Sequence, residues 1–177
     1  MDISLNGELG DCYNRNINYL LWRGRDRDQW LEPFEHRDSW LRIWDWDGEY
    51  IGKWLEASVL VSKYVHHDEL VAQIEDVVNR LLASQEKDGY LGNELPELRL
   101  KSSFPIWAHW YTMIGLGAYA DHFDNLAARK AYLKGGSWLL ATFHPITNDK
   151  SPLFENHTDS LCITGELVEL YELSGNK

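Results

Sequence analysis

Asp45, Asp47 and Glu49 alternate with Trp44 and Trp46 and run into Tyr50, so three carboxylates and three rings fall close together in the chain. Aromatic faces can lie against the C–H surface of a sugar while carboxylates accept its hydroxyl protons. Two carboxyl groups flanking one glycosidic bond would also supply the acid and base of a two-carboxylate glycosidase. Spacing alone does not show that any two face the same bond, and acids ahead of a helix equally complement its positive end. Trp44 and Asp47 are taken from this cluster as sugar-binding candidates.

Other polar residues carry paired readings. His109 lies in an aromatic-rich helix, where a lone histidine is usually packed and hydrogen-bonded. His157 precedes a third apolar helix and could donate to a sugar hydroxyl from its neutral tautomer, or stand in a surface loop. In Asp88-Gly89-Tyr90 the glycine suits a left-handed turn after a helix, with the tyrosine packing back on the domain. His66 and His67 are spaced too closely for a metal site on one helix face and read as a solvated turn. Cys12 and Cys162, the only cysteines, form neither a disulfide framework nor a zinc motif and read as free thiols.

The elements that must position these groups are helical. Leu70, Val71, Ile74, Val77, Val78, Leu81 and Leu82 recur at three-and-four spacing and predict a helix from Asp68 to about Gln85, with Asp76 and Arg80 paired on its polar side. Tyr50 to Val65 is apolar on more than one face and predicts a helix buried from both sides. A second hairpin follows: Pro105 starts an apolar helix through Trp107, Trp110, Met113 and Leu116, and Asp124 is the expected N-cap of a helix containing Leu126, Leu133 and Leu140. Leu81-Leu82-Ala83-Ser84 parallels Leu139-Leu140-Ala141-Thr142, a repeat with a period near sixty residues. A third apolar helix is expected from about Ser160 through Tyr171, followed by a turn at Ser174-Gly175. The reading is one domain over 1–177, with an irregular aromatic-rich opening over 1–47, which includes Trp30, Pro33 and Phe34 and at most a short helix at Asn14 to Trp22, and helical hairpins over 48–177.

Composition limits the function classes. The 177 residues are 44% hydrophobic, with nine tryptophans and nine tyrosines and a net charge of −11. Nucleic acid is not an expected partner, because phosphate binding needs clustered Lys and Arg. No stretch has the length and apolarity of a membrane span and the first residues lack a leader pattern, so a cytoplasmic chain without membrane contact is expected unless a leader has been removed.

The order of several segments resembles the glycoside hydrolases that include the β-L-arabinofuranosidases. They are Asn16-Ile17-Asn18-Tyr19-Leu20-Leu21, Trp30-Leu31-Glu32-Pro33-Phe34, Gly52-Lys53-Trp54-Leu55-Glu56-Ala57, Gln85-Glu86-Lys87-Asp88-Gly89-Tyr90-Leu91, the helix around Trp107-Ala108-His109-Trp110-Tyr111, and Gly165-Glu166-Leu167-Val168-Glu169-Leu170-Tyr171. The resemblance implies an all-α fold of helical hairpins from an (α/α)6 toroid, here incomplete, with an oligosaccharide or glycoside bound at one mouth. It also turns His109 towards the pocket and brings the loop of Asp88 and Tyr90 near it. The family's nucleophile is a cysteine in a zinc-binding cluster of cysteines and a glutamate. Neither Cys12 nor Cys162 falls in that motif, so no catalytic residue and no cofactor are assigned to this chain, zinc being implied only for full-length relatives. The alternative reading is a non-catalytic carbohydrate-binding or self-assembling helical-repeat protein that dimerises through its exposed third hairpin. A third is another toroid enzyme, a sugar epimerase or unsaturated-uronide hydrolase, using Asp47 and His109.

Overall fold

A computed structural model describes residues 6–38, 48–100, 104–143 and 163–175. These residues form helices α1 (Gly7–Arg23), α2 (Arg27–Glu35), α3 (Glu49–Ser62), α4 (Asp68–Ser84), α5 (Phe104–His122), α6 (Leu126–Phe143) and α7 (Thr164–Ser174), with a 3-10 turn (Gly24–Asp26) between the first two. Among the described residues there is no strand, and no helix is long and apolar enough to cross a membrane.

The helices fall in two layers. In one, α1 packs on α3, α3 on α5, and α5 on α7; in the other, α2 packs on α4 and α4 on α6. Each hairpin spans both layers, which is the order of an (α/α) toroid, and the described helices make an incomplete arc of it. Contact between α3 and α5 is the most extensive and depends on missing side chains. A Cβ on Gly52 would lie 2.2 Å from the Tyr111 carbonyl oxygen, and one on Gly115 would lie 3.0 Å from the Gly52 carbonyl oxygen. Ile51, Leu55 and Val59 of α3 and Ile106, Met113 and Leu116 of α5 are buried at this seam and its flanks. The Trp54 indole N–H donates to the Leu20 carbonyl at 2.9 Å, tying α3 to α1.

The stripe on α4 is buried as its periodicity predicts, through Leu70, Ile74, Val77, Val78 and Leu81. Its polar side is less simply solvated than expected. Arg80 holds both Glu35 carboxylate oxygens, at 2.6 and 2.8 Å, and also Asp28 at 2.5 Å, leaving Asp76 3.8 Å away. Asp76 instead pairs with Arg27 at 2.7 Å. The polar face of α4 thus docks α2. The parallel helix ends are also matched in detail: Ser84 donates to the Leu81 carbonyl and Thr142 to the Trp138 carbonyl.

Two expectations are corrected. The opening segment is not irregular where it is described. α1 is longer than Asn14 to Trp22, and Trp30, Pro33 and Phe34 lie in α2, which buries all three. Pro33 removes one helical hydrogen bond, and α2 ends two residues later, so the proline marks the end of a short helix and not its absence. Second, Asn125 and not Asp124 caps α6. The Ala128 N–H donates to Asn125 Oδ1 at 2.9 Å, whereas Asp124 sits at φ 46 in the connecting turn. Asn125→Ala is expected to lower stability by about 1 kcal/mol. Asp124→Gly should be neutral or stabilising, because glycine removes the left-handed strain; chemical denaturation of both variants separates the two assignments.

Candidate functional site

The structure brings Asp88, Tyr90 and His109 together, but as a brace. Gly89 has φ +108 and reverses the chain after α4, as the turn reading requires. Asp88 accepts from the Tyr90 N–H at 3.0 Å and from Arg99 Nη1 at 2.9 Å. Arg99, buried, also meets Glu86 at 2.8 Å and lies 3.9 Å over the Tyr90 ring. Tyr90 is fully buried and stacks on His109 with centroids 5.5 Å apart and planes 4° from parallel.

His109 is equally buried and both its nitrogens are engaged. Nδ1 accepts from the Leu91 N–H at 2.9 Å, so the proton sits on Nε2, which donates to the Gly135 carbonyl at 3.2 Å. Burial pushes its pKa down to about 4 and keeps the ring neutral. Neither His109 nor Tyr90 presents a polar atom to a sugar, and the packed reading of both describes their geometry. Trp44, Asp47 and His157, with Asp45, lie outside the described residues.

A different set of side chains lies at the margin of the core, with Trp110 packed partly against it. On α5, Trp107, Trp110 and Tyr111 share one side at three-and-four spacing and are each only partly buried. Their rings form one cluster: Trp107 lies edge-on to Trp110 and to Tyr111, with 5.2 Å between centroids in each case, and Trp110 meets Tyr111 at 4.5 Å. Two carboxylates frame it. Glu49, at the start of α3, accepts from the Trp107 indole N–H and from Lys53 Nζ at 3.0 Å. Glu166, at the start of α7, accepts from the Trp110 indole N–H. Lys53 rests 4.7 Å over Tyr111.

The electrostatics follow from this packing. Burial pushes the Glu166 carboxyl up to about 7, with Glu169 adding to the effect and the Trp110 N–H opposing it. Near neutral pH Glu166 therefore exists in both protonation states, able to donate to or accept from a hydroxyl. Beside it, where α3, α5, α6 and α7 meet, is a cavity of about 250 Å³ lined in part by Glu56, Arg129, Tyr132, Glu166 and Glu169. Glu56 is raised by burial and by Glu169. Burial and Glu169 likewise raise the Tyr132 phenol, whose hydroxyl donates to Glu169 at 3.3 Å.

Glu166 and the ring cluster were not among the candidates read from sequence. The indole acceptors lie 58 and 56 residues from their donors, and α5 is apolar all round, so its pattern does not say which rings turn outward. The spacing of Trp107, Trp110 and Tyr111 was the available signal.

The sequence profile of the β-L-arabinofuranosidase, GH127 catalytic domain matches residues 12–177. The chain belongs to this family. No curated protein and no solved structure gives a significant match. As a β-L-arabinofuranosidase-type domain it would be expected to meet zinc through cysteines and a glutamate, and the described residues do not supply such a set. The sequence has two cysteines. Cys12 is exposed on α1 with Arg15 Nη2 2.9 Å from its sulfur, and Cys162 lies outside the described residues. Among the described residues no three of His, Cys, Asp and Glu are grouped to hold a metal ion.

Proposed function

We propose that this chain forms a sugar-binding wall of a glycoside hydrolase-like protein of the β-L-arabinofuranosidase type, acting on an oligosaccharide. Among the described residues nothing matches the zinc–cysteine set of the family, and the role assigned to the chain is binding. The observation that carries this reading is the cluster of Trp107, Trp110 and Tyr111 framed by Glu49 and Glu166. Rings take the apolar face of a sugar, carboxylates accept from its hydroxyls, and family membership supplies the substrate class.

The test is NMR titration with an L-arabinose oligosaccharide, alongside an assay for release of 4-nitrophenol from its β-L-arabinofuranoside. Binding without hydrolysis is expected, and Trp110→Ala should weaken binding about tenfold by removing one stacking face. Binding that Trp110→Ala leaves unchanged would remove the wall from the site.

A second reading, a self-assembling carbohydrate-binding protein, is favoured by α7, where Val168, Tyr171 and Leu173 are exposed. A homodimer in sedimentation that α7 substitutions dissolve would support it; a monomer at high concentration would not.

A further inference from the structure

We propose that the cleft between α1 and α3, beside the ring wall, is a subsite for the carboxylate of an acidic sugar. The inference rests on the wall being sugar-binding and adds a substrate class to it.

The cleft has a volume of about 280 Å³ and is lined by Tyr19, Arg23, Trp30, Tyr50, Lys53 and Trp54 among others. That is close to the lower end of the roughly 300–1,000 Å³ typical of small-molecule pockets, enough for one sugar ring. Its walls suit a ring: Trp30 and Tyr50 are stacked with planes 28° apart, and Trp54 lies 6.5 Å from Trp30. Tyr19 and Tyr50 stay open to solvent, at 57% and 44% exposure, where rings of this size would otherwise be covered.

The charged groups distinguish this cleft from the wall. Around α5 the framing groups are carboxylates, which accept; here they are a guanidinium and an ammonium, which only donate. The Arg23 guanidinium lies near two rings, its central carbon 4.9 Å from the Trp30 centroid and 5.6 Å from that of Trp22. Asp26 takes Nη1 at 2.5 Å, leaving Nε and Nη2 without a partner among the described residues. Lys53 gives one N–H to Glu49 and a second contact to Tyr111, which leaves one more. A fixed guanidinium fork with free N–H groups is the geometry that matches a carboxylate, and a second cation across the cleft disfavours any cationic ligand. In a chain of net charge −11, two cations line this one cleft, each paired on one side with a carboxylate, Arg23 with Asp26 and Lys53 with Glu49.

Because Lys53 also touches Tyr111 and Glu49, the cleft and the wall share a side chain. One ligand could thus present hydroxyls to α5 and an acid group to α1.

The experiment is NMR titration of the full chain with D-galacturonate and with D-galactose, which differ in the acid group. The wild type should bind the uronate about tenfold more tightly at low salt, with the advantage shrinking as ionic strength rises and screens the contact. Arg23→Gln should abolish the advantage, bringing uronate and galactose to the same affinity, and Lys53→Gln should reduce it. Arg23→Lys keeps the charge beside Asp26 but not the fork, and should retain only part of it. Equal binding of the two sugars by the wild type, or a preference that survives Arg23→Gln, overturns the subsite and leaves the wall standing. Absence of binding by either sugar, with no response to Trp110→Ala, overturns both.

Discussion

Gly52→Ala is expected to remove a large share of the stability of the chain, read as a marked fall in urea midpoint. The added Cβ would stand 2.2 Å from the Tyr111 carbonyl oxygen, 2.3 Å from its carbon and 2.8 Å from the Thr112 nitrogen. All three are backbone atoms of α5, so no side chain can rotate away and the helices must separate. Overpacking usually costs about 1–3 kcal/mol. Here separation also loosens Ile51, Leu55 and Val59 along α3, so a loss of about 4 kcal/mol or more is expected against a total of about 5–15 kcal/mol. Two other glycines calibrate the result. Gly115→Ala meets Leu55 side-chain atoms and the Gly52 carbonyl oxygen at 3.0 Å and should cost less, while Gly165→Ala meets nothing within 4 Å and should stabilise α7 by about 0.5–1 kcal/mol. A Gly52→Ala chain as stable as Gly115→Ala would contradict the close seam.

His109→Ala should be nearly as damaging. It leaves the Leu91 N–H buried without a partner, at about 1–3 kcal/mol, takes the second donor from the Gly135 carbonyl inside α6, and removes the ring packed on Tyr90 and Trp138. A loss of about 4 kcal/mol is expected by thermal or chemical unfolding.

The same residue predicts a pH dependence whose sign can be worked out. His109 titrates at about 4 when folded and 6.5 in the reference state. Between those values the unfolded chain binds the extra proton, so its contribution is present above pH 6.5 and is lost as pH falls towards 4. Glu166 does the reverse: folded at about 7 against 4.5, it contributes below pH 4.5 and that contribution is lost as pH rises through 7. Over pH 4.5 to 6.5 the two slopes oppose each other. Glu166→Gln keeps an acceptor for Trp110 and removes one slope, so the variant should lose stability on acidification more steeply than the wild type, by up to about 1.4 kcal/mol per pH unit. Unfolding curves across that range check it, and parallel curves for the two proteins would mean that Glu166 is not held protonated by the fold.

Much of the architecture was legible because it depends on periodic burial. α4 announces itself by a one-sided stripe, and α3 and α5 by apolar residues on several faces, as expected of helices with neighbours on both sides. Gly89 gives its turn in the order of residue types. What escaped depends on contacts distant in sequence or on rules that compete locally. Trp30, Pro33 and Phe34 do fall at three-and-four spacing, but the run is short and contains a proline, and its helix is held by Arg80, about fifty residues away. Asp124 and Asn125 are both good caps by type, and only the backbone decides between them. The candidate wall was hidden for the same reason as α2: Trp107 and Trp110 find their carboxylates on other hairpins, and in α5 outward rings look no different from inward ones. His109 was legible as a residue worth naming, but its buried partners are a backbone amide and a carbonyl, which no side-chain motif encodes.

The two hydrogen bonds of His109 bear on how such a chain can change over evolutionary time. The residue sits on α5, accepts from the loop that follows α4, and donates to the middle of α6. A repeat unit cut at the loops, the obvious place to duplicate or delete a hairpin, would separate the loop amide from its imidazole. His109 therefore ties three consecutive elements, the loop after α4, the inner helix α5 and the outer helix α6, and a join on either side of α5 breaks one of its two bonds.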